Sequence, residues 1–93
     1  MLMQVKQSSI QNRLWKYRKA QGLTQKQVAN LIGLKSPSQI HRWEKGKRNP
    51  NLRQAIQLSC IYKRLVNDLF WELYLIERDQ IGAEYELLIT DCS

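Results

Sequence analysis

The segment from Gly22 to Pro50 constrains the fold of this chain more than any other, because it predicts two short amphipathic helices joined by a glycine turn. Thr24 is placed to cap a helix that begins at Gln25. The apolar residues of this helix recur at helical spacing and are expected on its inward side: Val28, Leu31 and Ile32. Gly33 then supplies a left-handed residue that ends the helix.

The second helix of the segment is expected from Ser36, which caps it, with Pro37 at its first position. Ile40 and Trp43 are three residues apart and therefore face the core together. The side chains left on the outward face are polar: Ser38, Gln39, His41 and Arg42. Such donors and acceptors match the edges of nucleic-acid bases, and Arg42 suits guanine in a major groove.

With these residues in place, residues 10 to 70 resemble the Cro/C1-type (XRE-like) helix-turn-helix family of phage and bacterial transcription regulators. The resemblance rests on Leu14, Arg18, the run Gly22 to Gln25, Ala29, Gly33, Ile40, the run Glu44 to Gly46, Pro50, Leu52, Ile56 and Leu58.

Three features depart from the family pattern. The turn between Gly33 and Ile40 is one residue longer than its commonest form. Ser59 stands where alanine is usual, and Lys63 stands where a glycine usually ends the fourth helix.

The resemblance implies an all-α fold: a compact five-helix helix-turn-helix (lambda-repressor-like) DNA-binding domain with a short C-terminal extension. It implies a transcription regulator, expected to be a repressor, that binds double-stranded DNA with the helix of residues 37–43 in the major groove. The residues expected to read bases are Ser38, Gln39 and Arg42. Those expected on the DNA backbone are Gln25, Lys26, Lys35, Ser36, His41, Lys45, Lys47 and Arg48. In the family, the pair matching Arg18 and Glu44 is an ion pair between the first helix and the end of the third.

The uneven distribution of charge supports a polyanionic partner. The net charge is +7, and residues 1–58 carry twelve lysines and arginines against the single acid Glu44. Residues 59–93 carry three basic residues against seven acidic ones. A basic half that coincides with the motif is typical of a protein that binds nucleic acid.

The sequence gives little support for catalysis or for a bound metal. Glu44 has no second carboxylate in the basic half with which to share acid-base work, and the serines have no His and Asp arrangement to activate them. The chain has one histidine and no Cys-x-x-Cys motif. We therefore expect neither catalytic residues nor a metal site nor a cofactor, and we expect that the protein is not an enzyme.

Cysteine usage and hydropathy favour a cytoplasmic protein. Cys60 and Cys92 are far apart, so a disulfide framework is not expected, and Cys60 is interpreted as a small buried residue. The sequence contains no membrane-spanning apolar run, and its start lacks the apolar core of a secretory signal. No membrane partner is expected.

The expected organisation is an arm over residues 1–9, a helix-turn-helix domain over 10–80 and a tail over 81–93. Ser8 or Ser9 is placed to cap a first helix from about Ile10 to Gln21. Its buried stripe is expected to be Ile10, Leu14 and Tyr17. Trp15 falls off that stripe and either packs against the C-terminal region or is exposed. A fourth helix, residues 51–62, is expected to bury Leu52, Ala55, Ile56 and Ser59 on one face.

The last third of the chain predicts a helix over about 66–80 with apolar groups on nearly every side. We expect Leu69, Leu73 and Ile76 to face their own domain. The remaining apolar side chains need cover from the tail folding back or from a second subunit. We favour a homodimer through Trp71, Tyr74 and Leu75. Residues 85–90 fit either a helical turn or a short strand.

A different class of function is an antitoxin-like or regulatory subunit that binds a protein partner through the apolar 66–89 region. The excess of aromatic and aliphatic residues after Asn67 favours it. RNA binding is less favoured, since neither a sheet nor exposed stacking aromatics are indicated.

Overall fold

A computed structural model of the chain describes residues 11–92, with side chains through residue 89. The regular elements of this part are all helices: α1 (Leu14–Ala20), α2 (Gln25–Ile32), α3 (Ser38–Glu44), α4 (Leu52–Tyr62), α5 (Val66–Leu69) and α6 (Trp71–Cys92). The all-α prediction is confirmed, with six helices over residues 11–92 where five were expected. The arm over 1–9, the Ser8 or Ser9 cap and Ile10 lie outside the described residues.

The first helix begins later than the sequence indicates. It was expected from about Ile10, but residues 11–13 are not helical and α1 starts at Leu14. The physical reason is Asn12, whose Oδ1 accepts a hydrogen bond from the Leu14 backbone N–H at 3.0 Å. Its Nδ2 donates to the Trp43 carbonyl at 2.7 Å. Asn12 thus fixes the start of α1 and ties it to α3.

The ends of α2 follow the sequence prediction. The Thr24 hydroxyl accepts the Gln27 backbone N–H at 3.0 Å, and the Gln27 side chain accepts the Thr24 N–H at 2.9 Å. This reciprocal pair is a capping box. Gly33 adopts φ +94°, which ends the helix in the left-handed region.

Helices α1 to α5 surround one core. Its buried members are Leu14, Tyr17, Val28, Ala29, Ile40, Trp43, Leu58, Tyr62 and Leu69. The expectation that Leu31 joins this core is wrong, since its side chain is 63% exposed. α2 docks through the adjacent pair Val28 and Ala29, and this orientation turns Leu31 to the surface.

The buried face of α4 also differs from the expected one. The Asn51 side chain caps this helix, and Ala55, Leu58 and Tyr62 face the core. Each residue turns the helix by about 100°, so these three positions share one side. Leu52, Ile56 and Cys60 lie off that side. The predicted burial of Leu52, Ile56 and Cys60 is therefore wrong.

The two family departures in α4 lie at its C-terminal end. Lys63 ends the helix at φ +57° and ψ +43°, in the left-handed conformation that a glycine adopts without strain. Ser59 is half-buried, and its hydroxyl donates to the Arg64 carbonyl. This bond gives the Ser59 hydroxyl a partner and helps to close the turn after the helix.

The C-terminal region is two helices. The helix expected over 66–80 is interrupted at Phe70, whose φ of −121° and ψ of +49° separate α5 from α6. α6 then continues without a break past residue 80 to Cys92. The tail is therefore helical and does not fold back. Ile76 was expected to face its domain, but it is 50% exposed, because α6 leaves the domain after its first turn.

Every described side chain from residue 76 to 89 is exposed. The protein is accordingly elongated, with principal extents of 53 × 29 × 22 Å. None of the helices in the described residues is long and apolar enough to cross a membrane.

Candidate nucleic-acid interface

Two buried side chains orient α3 so that its opposite face points to solvent. Ile40 and Trp43 are 1% and 2% exposed and hold α3 against the core. The other side of the helix, which is exposed, carries Ser38, Gln39, His41 and Arg42. α3 therefore presents a short polar face with both donors and acceptors, which is what the recognition of base edges requires.

α3 starts one residue later than predicted. The helix begins at Ser38, and Pro37 precedes it as the N-cap residue. The Ser36 hydroxyl oxygen accepts the Ser38 backbone N–H at 3.4 Å and lies 2.9 Å from the Ser38 hydroxyl. Ser36 thus contacts the helix start from outside.

A buried ion pair holds the C-terminal end of α3. The Arg18 Nε donates to Glu44 Oε2 at 2.5 Å, and Arg18 Nη2 donates to Oε1 at 3.1 Å. The side chains are only 8% and 4% exposed. Arg18 Nη1 donates to the Leu23 carbonyl at 2.9 Å. The bidentate geometry joins α1, the turn before α2 and α3 into one unit.

Two side chains at this site, Arg18 and Tyr62, have raised pKa values. The hydrogen bond to Glu44 raises the pKa of Arg18, against the opposing effect of desolvation. Burial raises the pKa of the Tyr62 hydroxyl, and the Glu44 charge raises it further. Both groups therefore keep their protons across the physiological range, so Arg18 stays positively charged and Tyr62 stays neutral.

Gln25 lies beside the ion pair, at the first position of α2. Its Nε2 donates to Glu44 Oε1 at 3.0 Å, so one amide hydrogen is committed within the protein. The second amide hydrogen remains for another acceptor. Because a carboxylate only accepts hydrogen bonds, the group of the Gln25 side chain that faces Glu44 is the amide nitrogen.

The loop after α3 folds back onto it. The Gly46 N–H donates to the Trp43 carbonyl at 3.1 Å, and the Lys47 N–H donates to the Arg42 carbonyl at 3.0 Å. Gly46 has φ +74°, which allows this tight reversal. The side chains of Lys45, Lys47 and Arg48 are exposed next to the C-terminal end of α3. Three further predicted backbone contacts, Lys26, Lys35 and Ser36, are exposed as well.

The residues expected to form a dimer lie at the start of α6. Trp71 and Tyr74 stack with ring centroids 5.4 Å apart. Trp71 also lies 6.0 Å from the Arg13 guanidinium, and Leu75 is half-buried. Tyr74 is 36% exposed. These side chains thus pack partly on their own domain.

Two contributions were missed from sequence: the Asn12 link to Trp43 and the Gln25 link to Glu44. Arg13 occupies the N-cap position of α1 without a side-chain cap bond, so the N-cap rule does not identify Asn12, which precedes it. The partners of both side chains lie 31 and 19 residues away along the chain, and no local pattern identifies them.

The sequence comparisons agree with this architecture. A family model described as helix-turn-helix matches residues 16–66, which span α1 to the start of α5. The chain belongs to the Cro/C1-type (XRE-like) helix-turn-helix family of DNA-binding transcription regulators.

A curated relative supports the assignment. An uncharacterised HTH-type transcriptional regulator of Archaeoglobus fulgidus is 31% identical over 61 residues, which cover 66% of this chain and 86% of that protein. No solved structure matches the chain significantly. The whole of α6 lies beyond the matched family segment.

Proposed function

We propose that this protein is a transcriptional repressor that reads operator DNA with α3 in the major groove. The observation that carries the proposal is the exposed polar face of α3, which a buried ion pair holds rigidly beside a basic loop. Rigid presentation matters because a bidentate contact to a base tolerates little displacement.

The residues divide into two roles. Arg42 is proposed to bind guanine, with Ser38 and Gln39 reading neighbouring base edges. The exposed side chains proposed to hold phosphates are Lys26, Lys35, Ser36, His41, Lys45, Lys47 and Arg48. The remaining amide hydrogen of Gln25 is proposed to donate to a phosphate at the start of α2.

The test is a selection of bound sites from random duplex DNA, followed by titration of variants on the selected site and on random duplex. Arg42→Ala is expected to weaken binding to the selected site by about 1 to 3 kcal/mol and to relax preference at one base pair. Lys47→Ala, the matched control in the adjacent loop, is expected to weaken binding to both DNAs alike. Equal losses on both DNAs for Arg42→Ala would make it a phosphate contact.

Repression itself needs a separate assay. A reporter gene placed behind the selected site is expected to fall in expression when the protein is supplied and to recover with Arg42→Ala. Increased expression with the wild-type protein would show an activator.

We further propose that the operator is bound by a homodimer held through Trp71, Tyr74 and Leu75. α6 has 22 residues and spans about 33 Å. Its exposed apolar side chains include Ile81, Tyr85, Leu87, Leu88 and Ile89. A free helix with this surface is not expected to remain unpaired. A two-fold pair reads two half-sites about 34 Å apart, so the selected site should be a near-palindrome.

Sedimentation tests the dimer. A double variant, Trp71→Gln with Leu75→Gln, is expected to give a folded monomer with much weaker operator binding. Leu52→Gln, which alters an exposed leucine outside α6, serves as the control and should remain dimeric. A wild-type protein that is monomeric at tens of micromolar, alone and on DNA, would refute the dimer.

The second candidate, a subunit that binds a protein partner, is favoured by one observation. Tyr85 and Leu87 are both about 60% exposed, yet they lie on nearly opposite sides of α6. A single partner helix covers one side only. A monomeric wild-type protein would therefore shift the interpretation of α6 towards an antitoxin-like or regulatory contact with another protein.

A further inference from the structure

Two open clefts lie side by side on the surface formed by α1, α2 and α3. The first, of about 590 Å³, is lined by residues that include Lys19, Thr24, Lys26 and Pro37. The second, of about 310 Å³, is lined by residues that include Trp15, His41 and Lys45. Both clefts also contain Arg18 and Gln25, so they meet at these two residues. We refer to the two together as the α1 cleft.

The exposed charge of the α1 cleft is positive. Glu44 is the only acidic residue in the lining, and its side chain is 4% exposed. Both of its oxygens accept hydrogen bonds, from Arg18 and from Gln25. The opposite charges of Arg18 and Glu44 thus cancel each other below the surface. The cations that remain exposed along the cleft are Lys19, Lys26 and Lys45.

Trp15 and Lys19 form the α1 side of this cleft. They are four residues apart and therefore share a face of the helix. The Lys19 ammonium lies 5.7 Å from the centroid of the Trp15 ring. Trp15 is 56% exposed, although it is a large apolar side chain in a helix that buries Leu14 and Tyr17. An indole beside an ammonium offers an apolar plane, an N–H donor and a positive charge at one point.

We propose that Trp15 and Lys19 form a further contact site for the DNA backbone. The phosphodiester chain runs along the α1 cleft, from Lys26 past Lys19 and Trp15 to Lys45. Lys19 binds one phosphate as a point charge, while the Trp15 indole packs against the adjacent deoxyribose and donates its N–H to a phosphate oxygen. This inference rests on the proposed DNA binding and extends the contact surface from α2 and α3 onto α1.

The salt dependence of binding tests the Lys19 contact. Each phosphate neutralised on duplex DNA contributes about 0.9 to the slope of log K against log salt. Lys19→Gln is expected to lower the slope by about that amount, equally on selected and random DNA. Lys16→Gln is the matched control, because Lys16 is exposed on the same helix but lies near the Tyr17 ring and lines neither cleft. It is expected to retain more of the wild-type slope.

Fluorescence quenching tests the Trp15 contact. Of the three tryptophans, Trp43 is 2% exposed, Trp71 is half-buried and Trp15 is 56% exposed, so acrylamide reaches Trp15 most readily. The difference in quenching between wild-type protein and Trp15→Phe isolates the signal of Trp15. Saturating duplex DNA is expected to remove most of that difference. Thermal melting of each variant checks that it is folded.

The outcomes separate the two proposals. A wild-type protein that binds no duplex DNA would overturn the proposed function and this inference with it. Wild-type binding with the same salt slope for Lys19→Gln and Lys16→Gln, and with Trp15 equally quenchable in the complex, would overturn this inference alone.

Discussion

The buried pair between Arg18 and Glu44 offers the sharpest test of how the fold presents α3. We consider Glu44→Gln, which keeps the size of the side chain and removes its charge. In the wild-type protein the carboxylate accepts from Arg18 Nε, Arg18 Nη2 and Gln25 Nε2. A glutamine offers one oxygen in place of two, and its amide group brings hydrogens against the Arg18 donors.

The expected loss is large because the remaining cation stays buried. Arg18 is 6% exposed and keeps only the Leu23 carbonyl as a full partner. Breaking a buried pair from one side typically costs about 3 to 5 kcal/mol. For a domain of this size, 1 kcal/mol corresponds to about 4 to 8 °C in Tm. Glu44→Gln is therefore expected to lower Tm by at least about 12 °C.

Urea unfolding at pH 7, followed by circular dichroism, measures the loss. Since domains are stable by only about 5 to 15 kcal/mol, Glu44→Gln alone can leave the chain unfolded. The double variant Arg18→Met with Glu44→Leu covers that case, because replacing a whole buried pair by apolar residues is often neutral. It is expected to be more stable than Glu44→Gln.

Two results would refute the reasoning. A Glu44→Gln protein within about 1 kcal/mol of wild type would show that the charge is not needed at the base of α3. A double variant less stable than Glu44→Gln would show that the stranded Arg18 charge is not the source of the loss.

Three further predictions concern stability. Lys63→Gly is expected to raise the free energy of unfolding by about 0.5 to 1 kcal/mol. Glycine relieves the left-handed strain, and this gain is reduced by the freedom that glycine adds to the unfolded chain. Lys63→Ala should give no such gain in thermal melting. Tyr62→Phe is expected to stabilise by about 1 kcal/mol at neutral pH, since its buried hydroxyl oxygen has no hydrogen-bond partner. The folded Tyr62 keeps its proton above the ordinary pKa of 10.0, whereas Tyr62 in the unfolded chain loses it there. The free energy of unfolding of the wild-type protein should therefore fall as pH rises beyond 10.0. Urea titrations should show a shallower fall for Tyr62→Phe. Asn12→Ala is expected to cost about 1 to 2 kcal/mol in urea unfolding through its lost bonds to Leu14 and Trp43; an unchanged midpoint would contradict it.

The parts of the fold that could be predicted from sequence are those fixed by neighbouring residues. The Thr24 cap and the Gly33 turn depend on bonds within four residues, so their signals are local. The buried positions of Ile40 and Trp43 also followed from spacing, because α3 is short and has one apolar side. These local features were sufficient to identify the helix-turn-helix.

The errors in the predicted buried face of α4 have one main physical source. The apolar residues of α4 cover a broad arc, and periodicity does not say which part of that arc meets the core. Leu52 and Ile56 look as suitable as Leu58, yet tertiary packing selects Leu58 and leaves the other two exposed. Cys60 was assigned by residue type alone, and its position on the helix decides otherwise.

The residues of the candidate site could be predicted from the sequence, but the hydrogen bonds that connect them could not. The exposed polar side chains of α3 followed from the pattern of burial. The bond from Gln25 to Glu44 did not, because it depends on the angle at which α2 crosses α3. The dimer residues and the base-reading residues stay predictions, since their tests require a second subunit and DNA.

The separation of charge along the chain constrains how the proposed complex is arranged. α6 carries six acidic residues and one basic residue, whereas the segment before residue 59 carries one acid. DNA attracts the basic segment and repels α6, and both effects act over the Debye length of about 10 Å at 0.1 M salt. In the proposed dimer, α6 therefore has to lie on the side away from the phosphates. An α6 directed towards the duplex would bring its acids against the backbone that the α1 cleft and the loop after α3 are proposed to hold.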